Sequence, residues 1–124
     1  MLATSPLSTS APTADINRTR KFYRDTLGLK ERFADKTGIL FEAGNGTSIY
    51  LYKRAPTKAD HTIASFSVQD MEKEVSDLKS RGVVFEEYDM PGMKTVQGIA
   101  TWGEDKAAWF KDPDGNILGL FQKG

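Results

Sequence analysis

A chain of 124 residues is long enough to bury a real core as one domain. Its 17 basic and 17 acidic residues cancel to a formal net charge of zero, which argues against a basic field for nucleic acid or a cationic run for an anionic membrane surface. Cysteine is absent, so thiol nucleophiles, thiolate metal sites and disulfides are excluded, and no apolar run approaches the roughly 20 residues that span a bilayer. The opening MLATSPLSTSAPTAD lacks both the positive and the continuous apolar region of a signal peptide. A soluble, cytoplasmic protein is the expectation.

Residues 2–13 are rich in Ser, Thr and Ala and read either as a tail or as an irregular strand that Pro12 ends. Asp15 then caps a helix, INRTRKFYRDTL, and Gly28 supplies its left-handed stop. Ile16, Thr19, Phe22, Tyr23 and Leu27 fall at spacings of three and four and make one apolar stripe. Short strands are predicted at 29–33 and 38–43 around a turn at Asp35-Lys36-Thr37. Gly44-Asn45-Gly46 signals a hairpin into a strand at 47–53.

Residues 54–60, RAPTKAD, read as a linker between halves. A strand at 61–68 follows, and Asp70 caps a second helix, MEKEVSDLKSR, with Met71, Val75 and Leu78 on its apolar side and Gly82 as its stop. Residues 83–88 are predicted as a strand. Residues 89–102, DMPGMKTVQGIATW, have no clear periodicity and read as a lid or binding loop. The closing stretch AAWFKDPDGNILGLFQ is strand, tight turn, strand, with Pro113 pre-setting the turn and Gly115 free to take the left-handed conformation.

The order strand–helix–strand–strand–strand is thus given twice. Asp15 and Asp70 stand 55 residues apart, and Phe41/Phe110, Gly46/Gly115 and Leu51/Leu120 stand 69 apart. These spacings point to a duplicated βαβββ unit, with module 1 at 1–53, the linker at 54–60 and module 2 at 61–124, all within one domain, 1–124.

DINRTRKFYRDTLGLK resembles the first-helix signature of the vicinal oxygen chelate superfamily, and WFKDPDGNILGL resembles its closing hairpin. That superfamily includes glyoxalase I, extradiol dioxygenases, methylmalonyl-CoA epimerase, fosfomycin-resistance enzymes and bleomycin-resistance proteins. The resemblance implies an α+β fold in which two βαβββ modules curl into a cup-shaped mixed sheet with helices outside. It also implies a homodimer whose cups are completed by both chains. It does not imply one activity, because the fold hosts several.

Enzymes of this family hold a divalent metal with His or Glu side chains from the first and last strands of each module. Counting from caps and hairpins puts the four positions at Ser8, Tyr50, Ile63 and Gly119. None offers an imidazole or carboxylate, as such ions demand. The chain's single histidine, His61, shares a strand face with Ile63 by parity and reads as a solvated side chain more readily than as a ligand. Glu86 and Glu87 alternate to opposite faces, which argues against an acid–base pair. Ser8 and Ser10 lack a base that would activate them.

Strand alternation sends Ile49, Leu51, Phe66, Val68, Phe110, Leu118 and Leu120 to the core. Ser48, Tyr50, Tyr52, Ile63, Ser65, Ser67, Trp109, Ile117, Gly119 and Phe121 then line the implied cup, and Trp102, Met90 and Met93 of the long loop cover it. Gly119, beside Trp109 and Tyr50, reads as a deletion of bulk that opens space for a ligand. The leading expectation is a metal-free, cofactor-free binding protein, similar to the bleomycin-resistance branch, that sequesters a hydrophobic aromatic compound such as an antibiotic. Its predicted contacts are Tyr50, Tyr52, His61, Ile63, Ser65, Met90, Met93, Trp102, Trp109, Gly119 and Phe121. Two alternatives stay open: an enzyme (lyase, isomerase or oxygenase) with an atypical metal site or with Tyr50, Tyr52 or His61 as acid–base groups, and a dimeric regulatory module without turnover.

Overall fold

The computed structural model describes residues 1–124. The chain divides into two compact units, Met1–Thr57 and Lys58–Gly124. In the first, β1 (Thr9–Thr13) leads into α1 (Ile16–Arg20), which runs on as a wider, π-type stretch over Lys21–Thr26, followed by β2 (Lys30–Ala34), β3 (Gly38–Glu42) and β4 (Ser48–Lys53). The sheet order is β1-β4-β3-β2, with β1 parallel to β4 and the other pairs antiparallel. The Asp15 carboxylate accepts from the Arg18 amide at 3.1 Å, so the predicted cap is made. The helix widens where the Leu27 amide reaches back five residues to the Phe22 carbonyl at 2.9 Å. It ends at Gly28, whose φ is +80°. The fully buried Tyr23 stacks on Phe41 with ring centroids 5.5 Å apart and planes at 21°, and Ile39 and Leu51 complete the core.

Pro12 does not end β1. It lies inside the strand, opposite Tyr52. β1 is an outer strand of its sheet with β4 as its sole sheet partner, and an outer strand bonds through only alternate amides, so a missing N–H is tolerated there.

The second unit comprises β5 (Thr62–Ser67), α2 (Met71–Ser80), β6 (Asp89–Met90), β7 (Met93–Val96), β8 (Ile99–Trp102), β9 (Asp105–Lys111) and β10 (Ile117–Gln122). The order is β5-β10-β9-β8-β7-β6, with β5 parallel to β10. Asp70 caps α2 through the Lys73 amide at 3.2 Å. The Gln122 side chain accepts from the Met71 amide at 2.6 Å, which ties the start of α2 to β10. Met71, Val75, Phe85, Phe110, Leu118 and Leu120 are buried as one apolar layer.

Two expectations fail in this unit. Residues 83–88 are extended but not a strand: they touch β9 through a single bridge, Phe85 to Phe110, and the Glu86 amide donates to the Trp109 carbonyl at 2.8 Å. Residues 89–102 are not an open loop but three short strands. Gln97 and Gly98 take φ of 52° and 85°, the two-residue left-handed turn that suits a tight hairpin. A Cβ on Gly98 would also stand 2.8 Å from that of Phe85, so glycine is required on both counts.

The two units share one plan. Phe41 opposes Ile49 as Phe110 opposes Leu118, and Ala11 opposes Leu51 as Phe66 opposes Leu120. The fold is therefore α+β, built from a βαβββ module given twice, the second carrying extra strands. No helix is long and apolar enough to cross a membrane.

Candidate functional site

Strand register decides what stands at the positions where metal-holding relatives carry ligands. β4 sets Tyr50 beside Ser10, and β10 sets Gly119 beside Ser65. Ser8 is exposed and precedes β1. Ile63 falls at an irregularity where Ile117 pairs with Thr62 and Leu118 with Ala64. This extra residue breaks the parity count, and it is Ser65 and Thr62 that approach Gly119. Ser8, Tyr50, Ile63 and Gly119, and the Ser10 and Ser65 that pair with Tyr50 and Gly119, offer only hydroxyls, an aliphatic chain or a hydrogen atom. Nowhere in the chain do three or more His, Cys, Asp or Glu side chains converge to hold a metal ion. The donor set does not fit a divalent cation.

In the first unit the Tyr50 ring lies over Gly38, and its hydroxyl is 3.0 Å from Thr37 Oγ1. Tyr52 is half-buried and pairs with Pro12 on one side and Gly38 on the other. The β2–β3 turn is organised by Asp35, whose Oδ1 accepts from Thr37 Oγ1 at 2.6 Å, the Thr37 amide at 2.8 Å and the Gly38 amide at 3.2 Å. These bonds, the Thr37 hydroxyl first, hold the Asp35 carboxyl below its ordinary value. A depressed folded-state value means that this turn's stabilisation is complete above the unfolded carboxyl's pKa and is lost as pH falls through the folded one. An NMR titration of the Asp35 carboxyl carbon is expected to give a midpoint below that of a model aspartate, and Thr37→Val is expected to raise it.

In the second unit an aromatic group is built around Trp109, which opposes Gly119 across β9–β10. Tyr88 meets it edge-to-face at 5.6 Å and 75°, and Trp102 meets it at 6.4 Å and 83°. Trp102 sits at the end of β8, and its indole N–H donates to the Gly92 carbonyl at 2.9 Å. That carbonyl belongs to the turn between Met90 and Met93, which pair with each other across β6–β7. Trp102, Met90 and Met93 are thus held by hairpins rather than by a free loop.

The space expected at Gly119 is not there. A Cβ at this residue would stand 2.8 Å from Ser65 Oγ, 3.4 Å from Thr62 Cγ2 and 3.5 Å from Trp109 Cδ1, so the neighbours have closed on the missing side chain. Phe121 is 39% exposed, at a shallow depression of about 450 Å³ that it forms with Ser67, Val68, Gln69, Gln122 and Lys123. His61 precedes β5 and is largely exposed, with Nδ1 3.1 Å from Asp60 Oδ1.

Tyr88 was not indicated by the sequence pattern. Its amide donates to Thr95 Oγ1 at 2.8 Å and its carbonyl accepts from the Thr95 amide at 2.9 Å, so the residue is fixed from both ends. Burial pushes its hydroxyl up, the Glu86 charge adds to the shift and Lys111 opposes it. Glu86 and Lys111 are themselves an ion pair at 3.2 Å. Tyr88 therefore presents a neutral hydroxyl beside an aromatic face.

No curated protein matches this sequence. Solved structures do. The glyoxalase family protein from Enterococcus faecalis is 16% identical at a TM-score of 0.74, over 98% of this chain and 99% of that one. UcmS2 is 16% identical at 0.74, over 95% of this chain and 97% of that one. The genomically encoded fosfomycin resistance protein FosX from Listeria monocytogenes is 15% identical at 0.73, over 98% of this chain and 94% of that one. At these identities the likeness speaks for the fold. The sequence speaks for the family: the model of the Glyoxalase/Bleomycin resistance protein/Dioxygenase superfamily matches residues 6–120, and the chain belongs to that superfamily.

Proposed function

We propose that this protein binds and holds a planar, hydrophobic aromatic small molecule, without a divalent metal in the binding chemistry and without turnover. The observation that carries the reading is the group of Trp109, Tyr88 and Trp102, whose perpendicular rings make a fixed aromatic surface beside one neutral hydroxyl. Such surfaces combine a large apolar contact with a polar handle at low entropic cost. A FosX structure was solved with Mn(II) and a dihydroxypropylphosphonic acid. Here Ser8, Tyr50, Ile63 and Gly119, with Ser10 and Ser65 beside them, offer no imidazole or carboxylate, which supports binding over metal-assisted catalysis. Sequestration of an antibiotic is the biological form this activity takes in our reading, and a homodimer is part of it.

Titration with naphthalene derivatives, followed by tryptophan fluorescence and calorimetry, tests the proposal. Binding is expected, and Trp109→Ala is expected to weaken it about tenfold or more, the effect of removing a central aromatic anchor. His61→Ala is expected to leave it unchanged. Equal affinity in Trp109→Ala, or chemical conversion of the bound compound, would overturn the reading. Light scattering reads the oligomeric state in the same samples.

A further inference from the structure

The hydrogen-bonding atoms of the aromatic group around Trp109 are unevenly engaged. An indole N–H can only donate, and a phenol carries one proton to give. The Trp102 N–H is committed to the Gly92 carbonyl at 2.9 Å. The Trp109 N–H and the Tyr88 hydroxyl bond to nothing within the chain. Both residues are half-buried, yet no buried side-chain nitrogen or oxygen lacks a partner. The two atoms are therefore open to whatever lies against the rings.

The carboxylate beside them is already engaged. The Glu86 amide donates to the Trp109 carbonyl at 2.8 Å, and alternation sends the Glu86 and Tyr88 side chains to one side of their extended segment. Glu86 Oε1 holds Lys111 Nζ at 3.2 Å. Burial first, and then the Glu86 charge, push the Tyr88 hydroxyl up, so it keeps its proton. The Ser65 hydroxyl beside Gly119 can give or accept and adds no preference. The apolar ring surface thus carries two open donors and a carboxylate that a lysine already occupies. A ligand that covers the donors without accepting from them strips their water and leaves them unpaired.

We propose that this face selects aromatic compounds that bear a carbonyl group, such as aryl ketones and amides, whose oxygen accepts from Tyr88 and Trp109. This rests on the small-molecule-binding reading above, and every residue it uses belongs to the second unit. A carbonyl oxygen has two lone pairs, enough for both donors.

The test uses 2-acetylnaphthalene and 2-isopropenylnaphthalene, which share a shape and differ in C=O against C=CH2. Calorimetry is expected to show the ketone binding roughly 3- to 10-fold more tightly, the effect of one neutral hydrogen bond or more. Tyr88→Phe keeps the ring and removes the proton, and it is expected to lower that ratio, which a purely structural role for Tyr88 would not do. In protein labelled at the indole nitrogens, with signals assigned from Trp102→Phe, the Trp109 N–H proton is expected to move downfield with the ketone alone. A wild-type ratio of one, a ratio that Tyr88→Phe leaves unchanged, or an equal Trp109 response to both compounds overturns the proposal. If both compounds bind equally and Trp109→Ala weakens both, this inference falls alone. If neither binds and no indole signal moves, the binding reading falls and this inference with it.

Discussion

Phe110→Ala is expected to lower the unfolding free energy by about 3–5 kcal/mol, the range for truncating a fully buried aromatic whose surroundings relax only partly. Phe110 is completely buried, opposes Leu118 across β9–β10 and meets Phe85 edge-to-face at 5.5 Å and 69°. Its chain neighbour Trp109 points to the other face and is only half-buried, so Trp109→Ala is expected to cost about 1–2 kcal/mol while removing the proposed binding surface. Urea denaturation of the two variants checks the contrast. Equal losses would mean that β9 does not separate a core face from a ligand face.

Asp112→Ala is expected to cost about 3 kcal/mol, because it strips partners from several buried donors at once. Asp112 Oδ1 accepts from the Asp114 and Asn116 amides, both at 2.9 Å, and Oδ2 accepts from Asn116 Nδ2 at 2.8 Å. Asp112 and Asn116 are themselves buried, at 5% and 1% exposure. Asp112→Asn keeps an oxygen for the two amides but sets one amide nitrogen against another, so a smaller loss is expected. Thermal unfolding of the pair checks this, and a loss below about 1 kcal/mol for the alanine variant would show that water replaces the carboxylate.

Much of this architecture is legible in the chain because the signals are local. Asp15 and Asp70 cap their helices through the third residue on, and the DPDGN turn needs nothing distant to be recognised. β6, β7 and β8 are not legible: strands of two to four residues are too short for alternation to emerge from noise. Their turns rest on Pro91-Gly92 and Gln97-Gly98, and the latter is a weaker hairpin signal than Asn-Gly. The irregularity at Ile63 is invisible to any parity count, since the count assumes that no residue is extra. Gly119 shows the general limit. A sequence reveals that a side chain is missing, but only the structure reveals that Ser65 Oγ stands where its Cβ would press, with Trp109 in contact distance.

The spacing between equivalent positions differs along the chain. It is 55 residues for β1 against β5 and 69 for the β3–β4 hairpin against β9–β10. The second half thus carries fourteen more residues than the first between its helix and its final hairpin, in the stretch that forms β6 and β7. Those strands lie at the outer end of the order β5-β10-β9-β8-β7-β6, where a strand can be added or removed without parting another ladder. That outer end is the natural place to graft or trim a hairpin.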